Sequence, residues 1–211
     1  MTEFLDVYDA NKKHIGTADR NVVHAFGLWH KTVHCWIVWR GQLLFQRRAR
    51  KLDNNPGKLY TTASGHVSAG ETLDAAFRHE VMEEIGLSLD NPKLGAPTHL
   101  YETVWVADMK KTNGEIMRDR VFCNNYFAEY SGELTDFKFT DGEVDGVVAI
   151  PLEQFITLSH GDGAPVPATE FDGQNIIEFT VTETDFILNP GENIHTKYGR
   201  IAETIRQRLK K

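Results

Sequence analysis

Hydrophobic residues recur every three or four positions in one stretch of the chain, which predicts an amphipathic helix over residues 72–85. The apolar positions of this stretch are Leu73, Ala76, Phe77, Val81 and Ile85. Gly86 follows directly, and glycine commonly ends helices because it adopts the left-handed conformation without steric cost. The sequence therefore predicts a helix that ends at Ile85 and buries one face.

The remaining hydrophobic pattern is typical of short β-strands separated by turn residues. Strands are predicted at residues 4–8, with a return around Ile15, and at 32–39, 42–46, 99–107, 121–130 and 144–150. The Arg40-Gly41 pair between two of these strands favours a hairpin. Two more helices are predicted at 152–159 and 201–209, and loops at 54–58, 91–97, 111–115 and 161–173, the last being rich in Gly, Pro and Asp.

Three glutamates of the first helix lie at the edge of its apolar stripe rather than on the opposite, solvated side. Glu80, Glu83 and Glu84 cluster together when each residue turns the helix by about 100°. Glu80 and Glu84 are like charges four positions apart, which costs roughly 0.2–0.5 kcal/mol, and a helix C-terminus disfavours anions. A bound divalent cation would reverse both effects, because Mg2+ prefers oxygen ligands. The alternative is a glutamate-rich surface helix that binds nothing.

Composition and charge favour a soluble protein without a nucleic-acid partner. The chain has 211 residues, 41% hydrophobic and 25% charged, which is ordinary for one domain with additions, or at most two. The net charge is -7 and no long basic run is present. No apolar run approaches a membrane span, and the first residues lack a signal-peptide pattern. Two cysteines, Cys35 and Cys123, favour a reducing compartment, so we expect a cytoplasmic location.

The segment around the acidic helix, residues 65–87, reads GHVSAGETLDAAFRHEVMEEIGL. It resembles the Nudix box, Gly-x5-Glu-x7-Arg-Glu-U-x-Glu-Glu-x-Gly-U, in which U is aliphatic. The residues that match are Gly65, Glu71, Glu80, Val81, Glu83, Glu84, Gly86 and Leu87. His79 departs from the motif, because it stands where the family has arginine.

The resemblance implies an α/β fold, namely the Nudix α/β/α sandwich with a mixed central sheet. The domain is expected over residues 1–160 and includes an N-terminal β extension. Residues 161–211 are expected to form a C-terminal extension packed on the same domain.

A second resemblance covers about residues 5–150 and points to the isopentenyl-diphosphate isomerase branch of the superfamily. It rests on Asp-x-Tyr-Asp at 6–9, a histidine-containing segment before the first hairpin, Gln-Arg-Arg, Pro-Gly, and the Gly-His pair at 65–66. Isomerases of this branch have cysteine directly before that pair, where this chain has Ser64, and residues 118–124 lack their paired glutamates. An alcohol cannot replace a thiol in alkene protonation, so isomerase activity is not expected.

The Nudix resemblance also implies the site. Glu80, Glu83 and Glu84, with the backbone carbonyl of Gly65, are expected to bind Mg2+ or Mn2+, and Glu80, Glu83 and Glu143 are the candidate catalytic residues. The general base is either Glu143 or Glu80, and the sequence does not choose between them.

Other residues have expected roles around this centre. Arg47 and Arg48 are either a diphosphate clamp, because guanidinium groups pair with phosphate oxygens in bidentate fashion, or part of a solvated loop. His66 is a candidate substrate ligand. With His24 and His30, His66 either hydrogen-bonds within the protein or represents a vestigial second metal site of the isomerase type. Glu71 and His79 are expected to orient the box.

The function predicted from these residues is metal-dependent hydrolysis of a small-molecule diphosphate. The substrate is expected to be a nucleoside diphosphate linked to another group, or a similar organic diphosphate. The alternatives are a non-catalytic Nudix-fold ligand-binding protein and, less favoured, the isomerase. The sequence is compatible with a homodimer and indicates neither a nucleic-acid nor a membrane partner.

Overall fold

The computed structural model describes residues 3–110, 114–161, 163–188 and 192–210, without the side chains of 109 and 110. Its strands are β1 Phe4–Tyr8, β2 His14–Asp19, β3 Trp29–Trp39, β4 Gln42–Arg48, β5 Leu59–Tyr60, β6 Ala63–His66, β7 Thr98–Lys110, β8 Ile116–Tyr130, β9 Val144–Pro151, β10 Val166–Phe171 and β11 Ile176–Val181. Its α-helices are α1 Arg20–Phe26, α2 Leu73–Ile85, α3 Leu152–Ser159 and α4 Arg200–Leu209, and a π-helical turn, His195–Gly199, precedes the last.

Strand β3 lies at the centre of the sheet. It pairs antiparallel with β4 at the Arg40-Gly41 turn and with β6 over Thr32–Cys35, and it pairs parallel with β8 along its whole length. The β4 strand continues against β9, and β9 pairs with β10. The sheet is therefore mixed, as the family resemblance implied.

Helices cover both faces of this sheet, which gives the α/β/α sandwich. Helix α2 buries Phe77 and Val81 against one face, together with Cys35 of β3. Helices α3 and α4 bury Phe155 and Ile205 against the other face, where Trp36 is fully buried. Alternation of side chains along β3 thus separates two cores, and the predicted fold class is confirmed.

Most predicted elements are present with small differences in their bounds. The acidic helix begins one residue later than expected because Thr72 is its N-cap, and Gly86 ends it in the left-handed conformation with a φ of 70°. Of the predicted loop at 111–115, residues 111–113 lie outside the described residues, and so does residue 162 of the loop at 161–173.

Several parts of the chain differ from the expectation, among them strand β11, which was not predicted. Helix α1 was not predicted, although Asp19 caps its first turn and Gly27 ends it with a φ of 64°. The loop predicted at 161–173 is wrong, because it contains β10. Pro167 misled the prediction, but β10 pairs with β9 only from Thr169 onwards, so no ladder hydrogen bond to β9 requires a donor at that proline.

Candidate active site

The C-terminal half of α2 faces the strand β6, and Glu84 makes the closest link between them. Its Oε2 atom accepts hydrogen bonds from the Ser64 backbone N–H at 2.7 Å and from Gln46 Nε2 at 3.1 Å. Glu84 is buried, with 7% exposure. Burial and the neighbouring Glu80 charge raise the pKa of Glu84 well above its usual range. Two donors and full enclosure therefore hold this carboxylate in one orientation.

Glu80 lies one turn earlier on α2, against Gly65. A Cβ added at Gly65 would overlap the Glu80 carboxylate, so glycine is required for this approach of helix and strand. Burial, together with neighbouring charges that include Glu83 and Glu143, raises the pKa of Glu80 to about 8. The structure therefore brings Gly65, Glu80 and Glu84 together, with Glu143 close enough to act on the glutamate charges.

The outer positions of the cluster are more open. Glu83 is exposed on α2, and Glu143 is exposed in the bend before β9. The Glu143 backbone N–H donates to Asp141 Oδ1 at 2.8 Å, and its carbonyl accepts from the Ala49 N–H at 2.8 Å. These bonds hold the Glu143 backbone in place, and neither of them involves its side chain.

His79 and Glu71 lie next to one another, although they are eight positions apart. His79 Nδ1 is 2.6 Å from Glu71 Oε1, and Glu71 Oε2 accepts from the Ser68 backbone N–H at 3.1 Å. The His79 side chain is 70% exposed and that of Glu71 is 11% exposed. His79 therefore contacts the glutamate that closes the turn before α2, at a position where the motif has arginine.

The two arginines of β4 have different surroundings. Arg47 forms a bidentate ion pair with Glu170, and its Nη1 donates to the Gly57 carbonyl at 2.9 Å. Arg48 has one backbone contact, from Nε to the Asn54 carbonyl at 3.3 Å, and lines the cavity described next. This arrangement does not favour phosphate binding by Arg47, because internal acceptors occupy its donors. For Arg48, phosphate binding stays a prediction.

A cavity of about 590 Å³ lies on the other face of β3, next to the glutamates. Ser64 and Gly65 line it, and the same two residues contact Glu84 and Glu80. Its floor comes from β3, β7 and β8. Its roof comes from the C-terminal segment, by which we mean the described residues after 185. The lining includes His34, Trp36, Tyr60, Trp105, Cys123, Asn125, Lys197 and Tyr198.

Lys197 was not predicted as a site residue, yet it forms part of the roof. Its Nζ lies 4.1 Å from the Trp105 ring centroid and 3.2 Å from Glu192 Oε2. Burial lowers its pKa, and the Glu192 carboxylate opposes that shift. A single lysine near the end of a polar segment carries no motif, so only the fold could identify it.

Three histidines meet at one end of the cavity. Nδ1 of His24 hydrogen-bonds the Arg20 carbonyl at 2.8 Å, and Nδ1 of His30 the Leu28 carbonyl at 3.0 Å, so each Nε2 is left to face the cluster. His24 Nε2 lies 3.3 Å from His66 Nε2.

This cluster has the donor set of a transition-metal site. One ligand atom from each histidine lies within 4.8 Å of the others. Burial lowers the pKa of His30 and of His66, which favours the neutral imidazole that binds metals. Among the described residues, His30 Nε2 has no hydrogen-bond partner, and Asp119 Oδ1 lies 3.1 Å from His24 Nε2. Each of the two expected roles of the histidines thus has one observation in its favour. His24 and His66 lie within hydrogen-bond distance of each other, and His30 Nε2 has no hydrogen-bond partner among the described residues.

Comparison with known proteins agrees with this geometry. The sequence model of the NUDIX domain matches residues 28–169. An uncharacterized Nudix hydrolase of Clostridium acetobutylicum is 31% identical over 156 residues, which cover 72% of this chain and 71% of that protein. Isopentenyl-diphosphate Delta-isomerase 2 of Photorhabdus laumondii is 26% identical over 145 residues, which cover 67% of this chain and 78% of the isomerase.

A solved structure shows the same fold. The crystal structure of a Deinococcus radiodurans protein superposes with a TM-score of 0.55 at 21% identity and covers 75% of this chain and 90% of that one. The sandwich and the acidic helix beside a cavity thus define a hydrolase class that generally cleaves pyrophosphate bonds with divalent metal ions. The chain belongs to the NUDIX domain family. Within the described residues, no helix has the length and apolar character needed to cross a membrane.

Proposed function

We propose that this protein hydrolyses the pyrophosphate bond of a small organic diphosphate, such as a nucleoside diphosphate linked to another group. The observation that carries the proposal is the convergence of Glu80 and Glu84 on β6, whose residues Ser64 and Gly65 also line the cavity. A diphosphate at the mouth of the cavity would lie beside the carboxylates, and its organic group would enter the space below Lys197.

The residues present fit a hard divalent cation. Glu80, Glu83 and Glu84 supply carboxylate oxygens, and the close approach at Gly65 provides the space in which the Glu80 carboxylate lies. Oxygen ligands of this kind suit Mg2+ or Mn2+. Such an ion, when bound, neutralises phosphate charge and lowers the pKa of a bound water.

The protein groups have separate roles in this proposal. The Ser64 N–H and Gln46 fix Glu84 so that it does not rotate during turnover. Glu80 and Glu143, which lies just before β9, are the two candidates that accept the proton of the attacking water. Arg48, which lines the cavity, is the residue proposed to contact phosphate oxygens.

The test is hydrolysis of a panel of nucleoside diphosphates, dinucleotides, sugar nucleotides and isoprenoid diphosphates. It is followed by 31P NMR, because cleavage of a linked diphosphate yields two phosphate monoesters rather than free phosphate. Glu84→Gln keeps the volume of the side chain and removes its charge, so we expect at least a hundredfold loss of kcat/KM, about 2.7 kcal/mol. Mg2+ binding, measured by calorimetry, should weaken in the same variant. Asp74→Asn is the matched control, because Asp74 lies exposed in the first turn of the same helix and should leave turnover unchanged.

Two results would contradict the proposed metal–carboxylate centre. Unchanged turnover of Glu84→Gln, or full activity in excess EDTA, would show that the carboxylate cluster is not the centre. Tight binding of a diphosphate without its cleavage would contradict hydrolysis itself and support a ligand-binding protein. Isomerisation of isopentenyl diphosphate, followed by deuterium incorporation, is expected to be absent because Ser64 stands in place of the cysteine.

A further inference from the structure

Besides the glutamates and the three cavity histidines, another group of metal-ligating side chains lies outside the cavity, where α3, the π-helical turn and α4 meet. His160 caps the end of α3, His195 begins the π-helical turn, and Glu203 lies on α4. One ligand atom from each lies within 4.8 Å of the others. The three residues are up to 43 positions apart, so the fold rather than a local sequence motif assembles them.

Close packing of the π-helical turn on α3 places the His195 ring. A Cβ added at Gly199 would overlap Ser159 Oγ and lie 2.7 Å from His195 Nδ1. Only glycine at this position lets the turn approach α3 so closely. The His160 and His195 rings consequently lie with their centroids 4.5 Å apart, tilted by 33°.

A hydrogen bond alone does not account for the arrangement. His160 Nε2 and Glu203 Oε1 are 3.0 Å apart, which satisfies that pair without His195. His195 Nδ1 is buried and, among the described residues, has no hydrogen-bond partner. A cation that accepts lone pairs from both rings and from the carboxylate would connect all three side chains.

We propose that His160, His195 and Glu203 form a site for a divalent transition metal of the zinc class. Two imidazoles and one carboxylate are ligands that Zn2+ uses when a fourth position is left to water. All three ligands come from elements that follow β9, and Lys197 of the cavity roof is two residues beyond His195. The ion would therefore fix α3, the π-helical turn and α4 together, and with them the roof.

The experiment locates the ion directly, because the glutamates and the cavity histidines are also candidate metal ligands. Metal-free protein containing 15N-labelled histidine is titrated with Zn2+ in excess Mg2+, and the ring-nitrogen resonances are assigned with His160→Gln and His195→Gln. We expect both resonances to shift on addition of Zn2+, in the wild type and in a His30→Ala/His66→Ala variant. A shift confined to other histidines, with those of His160 and His195 unchanged, would overturn the proposal.

A carboxylate variant provides the second measurement. Glu203→Gln should weaken Zn2+ binding by at least tenfold, with the affinity determined from the shifts of the His160 and His195 resonances. Glu153→Gln is the matched control, because Glu153 lies on α3 and pairs with Arg206 of α4 without belonging to the cluster. Its affinity should equal that of the wild type, and circular dichroism shows that each variant folds. Equal affinity in Glu203→Gln and wild type would exclude the carboxylate and with it the proposed site.

Discussion

At the scale of single residues, His79 is where this chain departs from its family's motif. Arginine is charged at every relevant pH and pairs with a carboxylate through two parallel hydrogen bonds. Histidine offers one Nδ1 contact to Glu71, and its ring is largely exposed. The contact reaches the turn before α2, so any effect of His79 on turnover acts through the position of the helix.

We expect His79→Arg to keep or increase activity and His79→Ala to lower it by about two- to tenfold. The arginine can form the bidentate pair with Glu71, whereas alanine leaves that partly buried carboxylate without its neighbour. The three proteins are compared on one substrate at several neutral pH values. Equal rates would mean that His79 faces solvent without a catalytic role.

His34 gives a prediction about stability and pH. Burial, and to a smaller extent the Lys197 charge, lowers the pKa of His34 to about 3. The unfolded chain protonates this histidine near pH 6.5 and the folded chain does not, so between these values the unfolded state binds one more proton. Stability is therefore lost as the pH falls below about 6.5.

His34→Gln should make this loss shallower, by up to about 1.4 kcal/mol per pH unit. Urea unfolding at pH 7, 6 and 5 measures the slope, and an identical slope in both proteins would show that His34 is not buried in its neutral form.

The sequence identifies residues that belong to a local motif with fixed spacing. It misses residues that become neighbours only when distant parts of the chain fold together. Glu80, Glu84 and Gly65 follow from a motif within 20 positions. Lys197 and the partner of Arg47, Glu170, do not, because 123 positions separate that ion pair. Periodicity contains no information about which distant strands pair.

At the scale of secondary-structure elements, the contact between β6 and α2 positions the glutamates. Strand β6 pairs with β3 through Gly65 and Val33, so its backbone cannot retreat from the helix without breaking the sheet. Any side chain added at Gly65 must therefore displace the Glu80 carboxylate.

Gly65→Ala should fold and lose about a hundredfold in kcat/KM, the usual effect of a displacement of about 1 Å at a reacting centre. Its melting temperature should fall, because the added methyl group overlaps Glu80. Gly65→Ala/Glu80→Ala removes that overlap and should recover most of the lost stability, measured by calorimetry. If the double variant is no more stable than Gly65→Ala, the clash with Glu80 is not the cause.

Helices α2 and α3 could be predicted almost to the residue, because apolar spacing and end signals agree. Helix α1 has the same kind of ends, Asp19 and Gly27, but its seven residues contain too few apolar positions to show a period. Strand β10 was hidden by glycine and proline composition. Local signals therefore fail where an element is short or where its neighbours in the sheet stabilise it.

At the scale of the whole molecule, the C-terminal segment completes the second core. Tyr198, Ile201 and Ile205 pack against Trp36 and Phe45, which are fully buried. The Tyr198 hydroxyl also donates to the Ile187 carbonyl at 2.9 Å. A large apolar area of the central sheet thus depends on residues beyond 185.

Removal of residues 161–211 should abolish cooperative unfolding, because it exposes the Trp36 face and removes β10 and β11 from the sheet. A chain ending at Leu209 is the control and should melt like the full chain. Near-ultraviolet circular dichroism and calorimetry report the loss of fixed packing. A stable, cooperatively folded protein of residues 1–160 would show that the two parts are independent.

The position of the cavity roof along the sequence affects how the substrate preference of such proteins can evolve. The family's sequence model ends at residue 169, whereas Lys197, Tyr198 and Ile201 contribute to the cavity from beyond it. The glutamates and the roof therefore lie in parts of the gene that can mutate separately. Under the proposed function, exchange of the roof segment between relatives would alter which organic group is accepted and leave the carboxylates in place. New substrates can then arise without the intermediate loss of chemistry that a change in α2 would impose.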